Sequence, residues 1–177
     1  WVSCPCSQSF YLFLLIMSNR GNHAPRDTTT GKVNEDSIEQ FLTENFSDSV
    51  YPQAVVGTQF GTKKKHVVDI LLGGKAYKKT KKAKRWISEH KGGRLVSLKY
   101  QAVEGTAEEK ILHECDKLQD AIDQHGYESA VVVLCGNQGW SFKDYYLSER
   151  YAKKVNLIAP NVTIISDETF RQQLTTN

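Results

Sequence analysis

Residues Arg94–Cys135, RLVSLKYQAVEGTAEEKILHECDKLQDAIDQHGYESAVVVLC, read as strand, helix, strand. In Arg94–Gln101 the apolar residues Val96, Leu98 and Tyr100 alternate with Ser97, Lys99 and Gln101, as a strand with two unlike faces does. Thr106 then suits a helix N-cap, and Glu109 three residues on completes a capping box. Ile111, Leu112, Cys115, Leu118, Gln119 and Ile122 keep the helical period, so a helix is expected from Ala107 to about His125, stopped by Gly126. Ser129–Cys135 is an almost unbroken apolar run, the pattern of a central strand covered on both faces.

Working outward, Tyr51–Thr58 and Lys65–Leu72 read as two strands joined as a hairpin. Before them Asn34 suits the N-cap of a helix reaching about Phe46, with Ile38, Phe41 and Leu42 inward and Glu35 one turn earlier on the same face. After Cys135 the loop GNQGW leads to a helix over about Ser141–Lys154, a strand at Asn161–Ser166 and a short helix at Asp167–Leu174. The order α-β-β-β-α-β-α-β-α predicts an α/β fold, a central mixed β-sheet flanked by helices.

The chain has 177 residues and 40% hydrophobic content, enough for one domain with its own core. Its formal charge of +3 is unevenly spread. Twelve Lys and Arg against Asp69 and Glu89 put +10 on Gly61–Arg94, which leaves −7 on the rest. Such asymmetry points to a polyanionic partner. Gly73-Gly74 and Gly92-Gly93 bracket the most basic part, so residues 73–93 read as an insertion between strands, with Tyr77 and Trp86 among the lysines. With so little to bury, that insertion is expected to project from the sheet.

Cys4, Cys6, Cys115 and Cys135 form no CxxC pair and no zinc-finger spacing, and the last two fall on apolar faces as buried thiols, which fits a reducing, intracellular setting. Phe10–Ile16 is too short to span a bilayer, and no basic residue precedes it as a signal peptide would require. Met17 is the expected start. Residues 1–31 are expected to be a non-native or disordered extension, and 32–177 the folded domain.

Three side chains carry the chemistry. Asp69 lies inside the apolar run VVDILL, where a carboxylate is costly without a partner. Lys99 lies on the polar face of its strand, and that strand and Asp69's flank the same insertion. Glu108 lies three residues before Ile111 and seven before Cys115, so it faces the core near the end of the Lys99 strand. Two acids, a lysine and the Gln101 amide suit a hard cation such as Mg²⁺. The metal would polarise a phosphate, and the lysine would orient or deprotonate the attacking water. The basic segment suggests nucleic acid as substrate.

An acid in a strand, then a strand ending (D/E)-x-K, then a helix resembles the PD-(D/E)XK nuclease superfamily, over about Gly31–Cys135. GKVNEDSIEQFL is similar to the superfamily's first helix, with Glu35 as its glutamate; KHVVDILL supplies Asp69, and VSLKYQ supplies Lys99. Ser97 stands where the pattern has an acid, an SxK variant in which the carboxylate comes from the following helix, as Glu108, Glu109 or Glu114.

The resemblance implies a restriction-endonuclease-like core and a Mg²⁺-dependent DNA endonuclease, site-specific in the manner of homing or restriction enzymes. It implies a homodimer or larger homo-oligomer and a bacterial or phage-type context. Asp69 and Glu108 would hold the metal, Lys99 would position the water, and Gln101 and Glu35 would assist. Lys75, Lys78, Lys79, Lys81, Lys82, Lys84 and Arg85 would track phosphates. Two other readings are a non-catalytic nucleic-acid-binding domain and a junction resolvase of the same superfamily.

Overall fold

The computed structural model describes residues 29–46, 49–101, 108–136 and 139–175, with side chains from residue 37 on. The chain runs α1 (Thr29–Phe46), β1 (Val50–Thr58), β2 (Lys65–Leu72), β3 (Ala76–Tyr77), β4 (Trp86–Ser88) and β5 (Arg94–Tyr100). A 3₁₀ turn (Glu108–Lys110) then leads into α2 (Ile111–His125), followed by β6 (Ser129–Cys135), α3 (Lys143–Tyr146), α4 (Glu149–Asn156), β7 (Val162–Ser166) and α5 (Asp167–Thr175).

Among the described residues seven strands make one mixed sheet in the order β3-β4-β1-β2-β5-β6-β7. β1 and β2 form the expected antiparallel hairpin, and β2 pairs antiparallel with β5. β5, β6 and β7 run parallel, so α2 and the α3–α4 segment are crossover connections. The period-2 alternation divides the core between the two faces. Leu71, Leu95, Val132 and Leu134 pack with Ile111, Cys115 and Leu118 of α2 and with Tyr151 and Val155 of α4. Ile70, Val96, Val131 and Val133 pack with Ile38 and Leu42 of α1 and with Phe170 of α5. Cys115 and Cys135 are buried and form no disulfide among the described residues. Among the described residues no helix is long and apolar enough to cross a membrane.

Four expectations are corrected. α1 begins at Thr29, so it takes in part of the expected disordered arm and runs through Asn34 instead of being capped by it. The helix expected over 141–154 is two helices, because Ser148 leaves helical geometry and its hydroxyl accepts the Tyr151 N–H to cap α4. α2 is preceded by a 3₁₀ turn; Thr106 and Ala107 lie outside the described residues, as do Cys4, Cys6 and residues 1–28.

The insertion also does more than project. β3 and β4 pair with each other, and β4 joins β1 in parallel, so 73–93 extends the sheet by two short strands. Trp86 is held edge-on against Tyr51, ring centroids 5.0 Å apart, and Lys78 Nζ lies over the Trp86 ring at 4.7 Å from its centroid. The glycine pairs are what let the segment leave and return. A Cβ on Gly74 would lie 2.9 Å from the Gly92 carbonyl oxygen, and one on Gly93 would lie 2.9 Å from that of Leu72. The two pairs pack backbone to backbone, with positive φ at all four residues.

Candidate active site

The register between β2 and β5 places the first two functional side chains. Ile70 pairs with Val96 and Leu71 with Leu95, so Asp69 falls opposite Ser97 on the face covered by α2. Beyond Ile70 the Asp69 carboxylate itself accepts the backbone N–H of Leu98, at 2.7 Å. A side chain thus takes a strand N–H just past the last cross-strand pair, and this seats the carboxylate between the two strands.

α2 supplies the second acid. The Ser97 hydroxyl donates to Glu114 Oε1 at 2.7 Å and lies 3.4 Å from Asp69 Oδ2. The two carboxylates therefore present oxygens about 6 Å apart or less. Lys99 Nζ stands 3.3 Å from Glu114 Oε1, and Lys117 Nζ donates to Glu114 Oε2 at 2.6 Å.

The two acids sit in opposite electrostatic states. Burial favours the neutral form of Glu114, but Lys99 and Lys117 outweigh it and hold its pKa down to about 2. Burial raises the pKa of Asp69, against the opposing pull of Lys99 and the Leu98 N–H. The Ser97 hydroxyl has one proton, and its short contact with Glu114 takes it. Asp69 is the under-compensated carboxylate of the pair.

Glu108 is not part of this group. It lies six residues before Glu114, about 9 Å along a helix axis, and its carboxylate accepts the Phe142 N–H at 3.0 Å. Glu114, at i+3 from Ile111 and i−4 from Leu118, is the helix carboxylate that reaches Ser97 and Lys99. Gln101 is also apart from the group: buried, it donates to the Gly139 carbonyl at 2.6 Å. The side chain of Glu35 lies outside the described residues. Glu109 is exposed.

Sequence reasoning passed over Lys117 and His66. Lys117 was legible as a lysine one turn after Glu114. His66 is fully buried, neither ring nitrogen has a partner among the described residues, and burial with Lys117 nearby lowers its pKa to about 4.

Lys75, Lys78, Lys79, Lys81, Lys82, Lys84 and Arg85 are all exposed. The basic loop enters β4 at Trp86, which pairs with Ala54, which pairs with Val68 beside Asp69. Two strand spacings, about 10 Å, separate that entry point from the β2 row of the Asp69 group.

Among the described residues no group of three or more His, Cys, Asp and Glu is placed to hold a metal ion. The donor set nevertheless suits Mg²⁺, which takes one or two carboxylates and fills its octahedron with water and phosphate oxygens. Asp69, raised in pKa and facing an ionised Glu114, is a carboxylate whose charge a cation would offset. No family model, curated protein or solved structure matches this chain.

Proposed function

We propose that this chain is a Mg²⁺-dependent DNA endonuclease of restriction-endonuclease-like type. The observation that carries the reading is the Asp69–Ser97–Glu114 arrangement with Lys99 beside it, at the point where β2 and β5 stop pairing. Asp69 and Glu114 would hold the cation, with Glu114 taking the role first expected of Glu108. Bound there, Mg²⁺ would polarise the scissile phosphate and acidify a water.

The chain's own groups do the rest. Lys99 is one-quarter exposed, so its ammonium reaches both Glu114 and solvent. From there it orients a water toward phosphorus and offsets charge as the bond to water forms and the bond to the leaving sugar oxygen breaks. Ser97 and Lys117 fix the Glu114 rotamer through its two oxygens. The exposed lysines between β3 and β4 hold the duplex through phosphates, without reading bases. A homo-oligomer would bring two such sites to the two strands.

The test is supercoiled plasmid incubated with the full chain in Mg²⁺ and in EDTA. Nicked or linear product in Mg²⁺ alone supports the reading. Intact plasmid in both, with the protein folded, rejects it.

A further inference from the structure

Gln101 and Glu108, two of the buried polar residues that the site leaves out, hold one loop. Gln101 follows Lys99 by two residues and donates to the Gly139 carbonyl at 2.6 Å. Glu108 precedes Glu114 by six and accepts the Phe142 N–H at 3.0 Å, while its own carbonyl accepts the Tyr146 hydroxyl at 3.3 Å. Gly136, at φ 73, leaves room for the Tyr100 ring, which a Cβ would approach to 3.1 Å. The segment 139–146 is thereby fastened to Gln101, just past β5, and to the 3₁₀ turn that leads into α2.

That segment carries a groove of about 550 Å³ lined by Trp140, Ser141, Phe142, Lys143, Asp144 and Tyr145. Phe142 is 60% exposed and Tyr145 39%. Trp140 is fixed beneath by its indole N–H to the Cys135 carbonyl at 3.1 Å. Holding exposed aromatic rings in water costs hydrophobic free energy, yet part-buried hydrogen bonds fix the loop that carries them. The groove follows the C-terminal end of β6, and Gln101, just past the parallel strand β5, holds the start of its loop.

We infer that this groove is a stacking platform for an unpaired base of the bound DNA strand, with Phe142 and Tyr145 as the stacking rings. The inference rests on the nuclease reading and narrows its substrate class to DNA that is locally unpaired beside the cleaved bond. A base offers a flat π face to the rings, and its edge meets Ser141 and Asp144. The phosphates on either side continue toward the lysines of the Asp69 group.

The experiment compares a single-stranded DNA oligonucleotide carrying one central 2-aminopurine with the same oligonucleotide annealed to its complement. Wild type should bind both and change the 2-aminopurine emission in the single strand. Phe142→Ala should lower the single-strand-to-duplex affinity ratio by about 5- to 150-fold, the loss expected for one base stack. Phe142→Trp should restore both the ratio and the emission change. Because Phe142 is exposed, the alanine variant leaves the core intact. An unchanged ratio in Phe142→Ala, or a wild type that binds duplex alone, overturns the platform and leaves the nuclease reading standing. A wild type that binds neither DNA overturns both.

Discussion

Asp69 accepts the backbone N–H of Leu98 at 2.7 Å, although the last cross-strand pair of their strands is Ile70 with Val96. A carboxylate has entered the fork between two strands that are parting. It satisfies a strand N–H there through Oδ2. The site is thus a local defect in the pairing of β2 with β5.

Asp69→Asn should leave the protein at least as stable as wild type at pH 7. The raised pKa means that the fold favours the protonated form. Its contribution is fully present below the ordinary aspartate pKa and is lost as pH rises through the higher folded value. Asparagine is neutral at every pH and still offers an acceptor to Leu98. Thermal melts check the stability, and plasmid nicking should fall to background in the same preparation.

Glu114→Gln should destabilise the protein by about 2–4 kcal/mol, because it leaves Lys99 and Lys117 facing an uncharged amide while largely buried. Adding Lys117→Gln should recover part of that loss. A double-mutant cycle by urea unfolding checks it, and additive losses would show that the Glu114–Lys117 contact carries no coupling.

Stability should fall in acid, in two steps. His66 has its pKa lowered to about 4, so its contribution is present above pH 6.5 and is lost between about 6.5 and 4. One proton over that interval is worth about 3 kcal/mol. Glu114, held down to about 2, contributes above the ordinary carboxylate range and is lost as pH falls toward 2. Lys117 and Lys99 push the His66 value down, while Glu114 and Asp120 push it up. His66→Leu should flatten the first step, measured as the pH dependence of the urea midpoint. It removes two ring nitrogens that have no partner among the described residues.

Neutralising Lys78, Lys79, Lys81 and Lys82 together should weaken binding to all DNA sequences alike. The slope of log affinity against log salt should fall by about 0.9 per phosphate contact removed. Fluorescence anisotropy on two unrelated duplexes at several salt concentrations checks it. A change in which sequence is preferred would mean that the loop reads bases.

Alternation within RLVSLKYQ and KHVVDILL marked Asp69 and Lys99 as polar side chains on apolar strands, because strand period is a local property; that the two strands pair across the 73–93 insertion is not local, and only the fold shows it. The helix carboxylate was not legible to one turn. Glu108 and Glu114 both fall on the inward face of the helical period, and what separates them is the distance along the axis at which α2 crosses β5. β3 and β4 escaped because two and three residues carry no period. Gly73-Gly74 and Gly92-Gly93 read as punctuation, but their reason is close backbone approach, which only the folded chain reveals. Ser148 could have been read as a cap, since Glu149 follows it in the first turn of α4.

The proposed action of Lys99, Asp69 and Glu114 on a phosphodiester is tested by Lys99→Ala. Lys99 is part-exposed at the edge of the group, so its loss leaves the core untouched. Plasmid nicking in Mg²⁺ and duplex affinity are measured on wild type and variant together. Cleavage should drop by about 10²–10⁴-fold, the worth of a positioned proton-transfer group, while duplex affinity should stay within about twofold because many other lysines supply it. Cleavage at the wild-type rate, or cleavage and binding lost in equal measure, would contradict it and make Lys99 one more phosphate contact.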